Sequence, residues 1–433
     1  MLTHLLLILM VTSTEAPPDI PVHEGALTLE QALRYAEKNN ERVGRADAAV
    51  ERARGQYWVA LSALLPNLNV SGTYVRRRDE ASAIGEDGER VFFQRRNARQ
   101  ALAQLTMSVI RPDQYPRVAA ASDDIEAARK DALNERLTLR FDAAGQFFLA
   151  MATRGIADAA EERIRVAQAS LDEARARFSA GLEAANTVTR AELELATAKV
   201  TATESMNNAE IARLTLSFII GVDVRGDLVD PPQAGPVVSD PSALYDVARK
   251  ERPDLQALRH RKDAAASRQL APVLDWLPEL NVQTFYSLTN EPGFGPNDNY
   301  NFSATLAWQL FDGGARIGQE ISADADFRDV ALQIRALERQ VRLDIENQLR
   351  QVRSAVALVA EAEARFEVAR RNNEEVGQRL KAGLATGLEA ADAAAELFNA
   401  EAELNRQRFE QRRAELALRQ VIAADPLEPV SAQ

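Results

Sequence analysis

Two hydrophobic rhythms alternate along the chain. From Tyr115-Pro116 to Ala180, and again from Arg316 to Lys381, no further proline intervenes and apolar positions step by three and four, as Leu349, Val352, Val356, Val359 and Phe366 illustrate. Each stretch is roughly 65 residues, or about 100 Å of α-helix at ~1.5 Å per residue, well beyond the ~8–20 residues of ordinary globular helices. Alanine, arginine and glutamate fill the remaining positions, so the pattern predicts coiled-coil-like helices with close seams and solvated outer faces. Each ends at a glycine, Gly181 or Gly383, and a shorter helix returns toward Gly221 or Ala423. A hairpin of that length cannot bury its stripe alone and needs neighbours.

Four short segments instead follow period two: Leu68-Asn69-Val70-Ser71-Gly72-Thr73-Tyr74, Gln104-Leu105-Thr106-Met107-Ser108-Val109, Leu280-Asn281-Val282-Gln283 continuing to near Leu288, and Phe302-Ser303-Ala304-Thr305-Leu306-Ala307-Trp308-Gln309-Leu310. Such alternation predicts strands with one apolar and one polar face. Each is about ten residues, enough to cross a bilayer at a tilt. Tyr74, Tyr286, Tyr300 and Trp308 lie within or at the ends of these strands, where interfacial aromatics belong. A soluble antiparallel sheet packed on helices uses the same alternation, and the strands alone do not separate the two.

The chain is written twice. Leu65-Pro66-Asn67-Leu68-Asn69-Val70 recurs as Leu277-Pro278-Glu279-Leu280-Asn281-Val282, and Phe178-Ser179-Ala180-Gly181-Leu182 recurs as Leu380-Lys381-Ala382-Gly383-Leu384. Between these anchors the first copy carries the longer insert, Arg76–Arg99. A helix opens at Thr28, an N-cap with Gln31 three residues on, and runs toward Leu64 until Pro66 stops it. The second copy repeats this from Pro241 to Trp276, before Pro278. The organisation expected is a first structural repeat over 26–229, a proline-rich linker over 230–241, a second repeat over 242–424 and a tail over 425–433.

Composition narrows the function. Among 433 residues, 52 Lys+Arg face 64 Asp+Glu, a formal charge of −12, so no nucleic-acid partner is expected. Cysteine is absent, which removes disulfides, thiolate metal sites and an N-terminal lipid on cysteine. No stretch approaches the ~20 apolar residues of a spanning helix; the longest run is Leu5–Val11. A β-barrel stays open. Met1–Ala16 (MLTHLLLILMVTSTEA) resembles a secretory signal peptide at 1–16 with Thr14 and Ala16 before the cut, although its first residues hold His4 and no Lys or Arg, and Pro17 follows. A short buried segment or a misplaced start codon are the alternatives. The three histidines, His4, His23 and His260, have no partners at metal or triad spacing, and HExxH, GxSxG and a Walker loop are all missing. Gly293-Phe294-Gly295 reads as a strand-connecting turn. No enzyme activity, cofactor or metal is expected.

At this point the sequence resembles the TolC family of outer-membrane efflux ducts. The resemblance rests on Leu27-Thr28-Leu29-Glu30-Gln31-Ala32-Leu33, the two Leu-Pro-x-Leu-Asn-Val anchors, Leu310-Phe311-Asp312-Gly313-Gly314, the two Ala-Gly-Leu turns and the run from Glu389-Ala390-Ala391-Asp392 to Leu404. It implies a mainly α fold with a small β part: three chains each give four strands to one twelve-stranded transmembrane barrel and their helical hairpins to one periplasmic α-barrel. Four strands alone leave open edges in a bilayer, where each unsatisfied backbone group costs several kcal/mol, so oligomerisation is a physical need as well. The apolar strand face would meet lipid, and Asn69, Ser71, Thr73, Gln104, Thr106 and Ser108 would line water.

The resemblance also implies partners and sites: a homotrimer, a periplasmic adaptor (membrane fusion) protein, an inner-membrane pump and outer-membrane lipid. Glu389 and Asp392, one turn apart on one helix face, match acidic positions that constrict the periplasmic entrance; ordinary exposed acids are the alternative. Thr187 stands where the first repeat often carries an Asp, and Leu380 and Ala385 stand where a Tyr and an Arg tie the closed state, so that latch is missing. Ala180, Gly181, Leu182, Ala382, Gly383 and Leu384 match the adaptor-docking tips, and read equally as glycine caps of long helices. The basic insert with Arg76-Arg77-Arg78, Arg95-Arg96 and Arg99 becomes an extracellular loop facing anionic lipopolysaccharide, or a solvated loop balanced by Asp79, Glu80, Glu86, Asp87 and Glu89. The rival to a passive duct is a soluble, self-associating helical-hairpin scaffold without a transport role.

Overall fold

The computed structural model describes residues 21–85, 88–231, 240–291 and 295–427. The expected signal peptide, the middle of the linker, the Gly293-Phe294 pair and the end of the tail lie outside the described residues. In chain order the elements are β1 (Val22–His23), α1 (Leu29–Asn39), α2 (Glu41–Ser62), β2 (Asn67–Arg76), β3 (Ala81–Ile84), β4 (Arg90–Gln94), β5 (Asn97–Ile110), α3 (Gln114–Ser179), α4 (Ala185–Ile220) and β6 (Asp223–Val224). They continue with α5 (Pro241–Glu251), α6 (Pro253–Leu274), β7 (Glu279–Thr289), β8 (Asp298–Ala307), α7 (Ala315–Lys381) and α8 (Gly387–Val421). The chain divides into two compact units: Met1–Gly44 with Glu135–Glu251 and Val341–Gln433, and Arg45–Asn134 with Arg252–Gln340.

The long helices form as their periodicity predicts: α3 has 66 residues and α7 has 67, followed by return helices of 36 and 35. The seam of α7 follows the sequence reading only in part, with Leu349 and Val359 buried but Val352 and Phe366 half-buried. Val341, Ile345, Leu349, Ala355, Val359 and Ala362 are buried, whereas Val356 is 49% exposed. The buried stripe steps through Ala355 and Ala362 instead. In the first unit the core gathers Leu139, Phe147, Leu216, Ile220, Val222 and Val224, beside the parallel pairing of β1 with β6.

The two opening helices are broken, a correction to the continuous helices expected from Thr28 to Leu64 and from Pro241 to Trp276. Thr28 does cap α1, with Gln31 completing a reciprocal capping box. Asn40 then turns extended, donates from Nδ2 to the Ile219 carbonyl at 2.8 Å and accepts from the Arg42 amide at 2.9 Å, thereby starting α2 afresh. In the second copy Arg252 precedes Pro253 and is pushed out of the α region (ψ 118°), while Pro253 opens α6.

The second unit holds a four-stranded antiparallel sheet in the order β2-β5-β7-β8. Its register pairs Asn69 with Gln104, Thr106 with Gln283 and Asn281 with Thr305 on one face, and Leu68 with Leu105, Met107 with Val282 and Val282 with Ala304 on the other. The alternation therefore yields the polar face expected, interrupted by Val75, Ala98, Leu102, Phe285 and Ala307. The segment read as a loop from Arg76 to Arg99 is instead built: β3 and β4 form a small antiparallel hairpin of their own.

Candidate functional site

The sheet sets its chemistry by edges and faces. β2 and β8 are its two outer strands, each paired on one side only, and both are exposed along almost their whole length. Val70, Leu68, Tyr300, Phe302 and Leu306 are each at least two-thirds exposed and share the apolar face. An exposed apolar row beside two open sheet edges is a surface that calls for pairing or cover.

The aromatic residues singled out from sequence fall into two levels. Tyr286 pairs directly with Tyr300 on the apolar face, in the halves of β7 and β8 nearer the loop that joins them. Tyr74 lies on the same face near the hairpin end of β2 and donates its hydroxyl to Asn97 Oδ1 at 2.8 Å. Trp308 sits just past β8, at the end of the strand nearer the helices. Its indole nitrogen donates to the Trp276 carbonyl at 3.0 Å, and the Arg316 guanidinium stacks over the Trp276 ring at 4.8 Å.

Arg316 is a residue that sequence reading missed. Its side chain is only 3% exposed, and its Nε donates to Asp275 at 2.8 Å while Nη1 donates to the Gln309 carbonyl at 2.7 Å. Asp312 accepts from the Gly314 and Arg316 amides, so the Asp-Gly-Gly run forms the cap of α7. Gly313 and Gly314 have φ of 74° and 93°, which only glycine adopts without strain. The motif that carried part of the family resemblance is thus a strand-to-helix joint, locked by an arginine.

At the hairpin tips the two copies share one geometry. The Leu182 amide donates to Arg177 and the Gly181 amide to Phe178; the Leu384 amide donates to Arg379 and the Gly383 amide to Leu380. Both are Schellman caps with glycine left-handed at φ near 74°. The leucine that follows is not folded back onto its helix: Leu182 is 76% and Leu384 71% exposed. A Cβ added at Gly387 would come within 4.0 Å of Thr187 Cγ2, so the second and first tips are neighbours. Arg177 Nη2 donates to the Leu380 carbonyl at 2.9 Å and ties one hairpin to the other.

Glu389 and Asp392 are both exposed near the start of α8. Glu389 Oε2 accepts from the Thr386 amide at 2.7 Å and from its hydroxyl at 3.1 Å, while Thr386 Oγ1 accepts from the Glu389 amide at 3.2 Å. These bonds from Thr386 hold the Glu389 carboxyl below its ordinary range. The first repeat has no counterpart to this box, since Ala184 occupies the N-cap of α4 without a side-chain bond. Counting from the tip glycines, Thr187 stands in the place of Glu389 and Arg190 in that of Asp392. Leu380 and Ala385, at the missing latch, are buried with Val376 and Ala393 in a small apolar cluster. Among the described residues no group of acids and histidines has metal-site geometry.

Comparison with known proteins gives a consistent picture. A family model described as Outer membrane efflux protein matches residues 32–222 and 244–424. Among curated proteins, Protein CyaE of Bordetella pertussis is 29% identical over 249 residues, covering 51% of this chain and 50% of CyaE. The matched region therefore spans about half the length of that relative. Among solved structures, the Campylobacter jejuni CmeC outer membrane channel superposes with a TM-score of 0.77 at 15% identity, over 93% of this chain and 86% of that one. The outer membrane protein VceC from Vibrio cholerae gives a TM-score of 0.72 at 17% identity, over 92% and 97%. At these identities the likeness is one of fold.

Proposed function

Because this chain belongs to the outer membrane efflux protein family, we propose that it is the passive outer-membrane duct of a tripartite efflux or type I secretion assembly. It is an outer-membrane channel protein with large periplasmic helical hairpins, and its family is one of channels rather than enzymes. In the proposed assembly, three copies close their four-stranded sheets into one twelve-stranded barrel, with the apolar rows toward lipid and the Asn, Ser, Thr and Gln rows toward water. Residues 26–229 and 242–424 act as two repeats joined by the linker at 230–241, and residues 1–16 direct export. The barrel aromatics Tyr74, Tyr286, Tyr300 and Trp308 sit at the membrane interfaces.

The single observation that carries this reading is the sheet with two unpaired edge strands and an exposed apolar face. In a bilayer those edges must be paired, and pairing β8 of one copy with β2 of the next removes all of them at once. The exposed Leu182 and Leu384 at the hairpin tips support docking of a periplasmic adaptor, which links the duct to an inner-membrane pump that supplies the energy. Glu389 and Asp392, brought together as three copies around one axis, support a cation-favouring entrance.

The test is direct. Detergent-extracted protein from the outer-membrane fraction should run as a trimer and give cation-selective conductance in planar bilayers. Recovery as a soluble, non-conducting oligomer would instead support the scaffold reading and overturn this one.

A further inference from the structure

At the ends of β5 and β7 furthest from the helices lies an open cleft of about 450 Å³, lined in part by Arg95, Arg99, Ala101, Leu288, Asn290 and Asn297. From its chemistry we infer that this cleft binds the phosphorylated headgroup of an outer-leaflet glycolipid of the lipid A type. The inference rests on the barrel orientation proposed above.

Position comes first. β5 and β7 are the inner strands of the sheet, so the cleft is not an edge waiting for a neighbouring strand. Arg99 falls in register with Tyr74, and Ala101 with Leu288, on the apolar face assigned to lipid, while Gln100 and Thr289, which also line the cleft, pair on the other face. Arg99 thus stands at the rim of an apolar wall, with Arg95 in the turn just before β5, where a membrane lipid carries its phosphates above its acyl chains.

The site is also built rather than loose. Asn290 Oδ1 accepts from the Arg99 amide at 2.8 Å, and Asn290 Nδ2 donates to the Asn97 carbonyl at 2.9 Å, fixing the backbone beneath Arg99. The Arg95 guanidinium is stacked over Phe92 at 4.5 Å. Glu291, the acid beside the cleft, accepts from Arg77 Nη1 at 2.5 Å and from the Arg95 backbone amide. Among the described residues Arg99 forms no side-chain ion pair, while the Arg95 charge acts on the Glu291 carboxylate beside it. Planar guanidinium forks match phosphate oxygens bidentately, and the amides of Asn290 and Asn297 suit sugar hydroxyls. Ala101 and Leu288 offer contact to acyl chains but nothing to a free anion. This favours a phosphorylated lipid over inorganic phosphate.

The experiment compares wild type with Arg95→Gln/Arg99→Gln, which removes both charges and leaves the backbone clamps. Each protein, reconstituted in nanodiscs, is titrated with bisphosphorylated lipid A, with lipid A stripped of phosphate and with phosphatidylglycerol, with and without millimolar inorganic phosphate. Wild type should bind bisphosphorylated lipid A at least tenfold more tightly than the double variant does, and tenfold more tightly than it binds the stripped lipid. Equal binding by the variant would overturn the site. So would displacement by inorganic phosphate, or phosphatidylglycerol binding as tight as lipid A. Bilayer conductance separates this from the duct itself: the variant should conduct like wild type. A lipid difference in a wild-type protein that forms no pore would sink the duct and keep the glycolipid site.

Discussion

Thr386 closes the start of α8 with one hydroxyl and one amide, and Glu389 answers both. The carboxylate assigned by resemblance to a pore constriction is therefore also a helix cap, and the two roles can be pulled apart. Thr386→Ala should cost about 1 kcal/mol of local stability, read as roughly fivefold faster amide exchange over 387–390. Glu389→Gln keeps the reciprocal box, because an amide oxygen still accepts, but removes the charge; Glu389→Ala removes both. Faster exchange in the Ala variant alone, with altered selectivity in both, would establish the dual role. The pH dependence has a definite sign. Since the folded-state Glu389 lies below its ordinary value, its stabilising contribution is complete above the unfolded pKa and is lost only as pH falls through the lower, folded one. The turn glycines give a second contrast. A Cβ at Gly181 or Gly383 meets nothing within 4 Å, so alanine there should cost only the left-handed backbone penalty of about 1 kcal/mol. At Gly221, with φ 66°, the same Cβ would stand 2.7 Å from Asn39 Cβ. Gly221→Ala should therefore lower thermal stability clearly more than Gly383→Ala.

The strands allow a test in which neighbouring residues behave oppositely. Leu105 shares the apolar face with Leu68 and Thr284, whereas Gln104 shares the other face with Asn69 and Phe285. If the apolar face meets lipid, Leu105→Lys should destabilise the barrel by ~2–4 kcal/mol near the bilayer midplane and reduce outer-membrane assembly. Gln104→Lys should assemble normally and shift ion selectivity. Equal assembly of both variants, measured by heat-modifiable trimer on gels, would refute the assigned faces. These strands and the long helices were legible from sequence because each obeys one period for many residues. The breaks were less so. Asn40 ends a helix with the help of a bond to Ile219, a residue far along the chain that no local pattern announces. Pro253, by contrast, was a local signal that the continuous periodicity of its neighbours overrode. The basic insert read as a loop because its β3 and β4 strands are too short to show alternation. Arg316 was hidden for another reason: an arginine looks like a solvated charge until Asp275, Asp312 and Trp276 converge on it. Among the candidate site residues, the tip glycines were readable from their motif, while the capping role of Glu389 needed the Thr386 geometry.

At the scale of the proposed trimer, threefold symmetry would turn single charges into rings, and the sign of each ring matters. In α8 the tip carries Glu389 and Asp392; in α4 the equivalent places hold Thr187 and Arg190. Among the described residues Arg190 forms no ion pair, and it is exposed. In the proposed duct, an entrance built from both helices would combine acidic rings with a basic one, so its cation preference would be a difference between opposing fields. The balance can be tilted from either side. Arg190→Gln should raise cation selectivity and Glu389→Gln/Asp392→Asn should lower it, with trimer content unchanged in both. Salt supplies the control, because the Debye length shrinks from about 10 Å at 0.1 M to about 3 Å at 1 M. Opposite shifts in reversal potential at 0.1 M that vanish at 1 M would locate these side chains in the conducting path. Identical reversal potentials in all three proteins at 0.1 M would place Glu389, Asp392 and Arg190 on the outer surface of the helical barrel, with Glu389 serving only as the cap of α8.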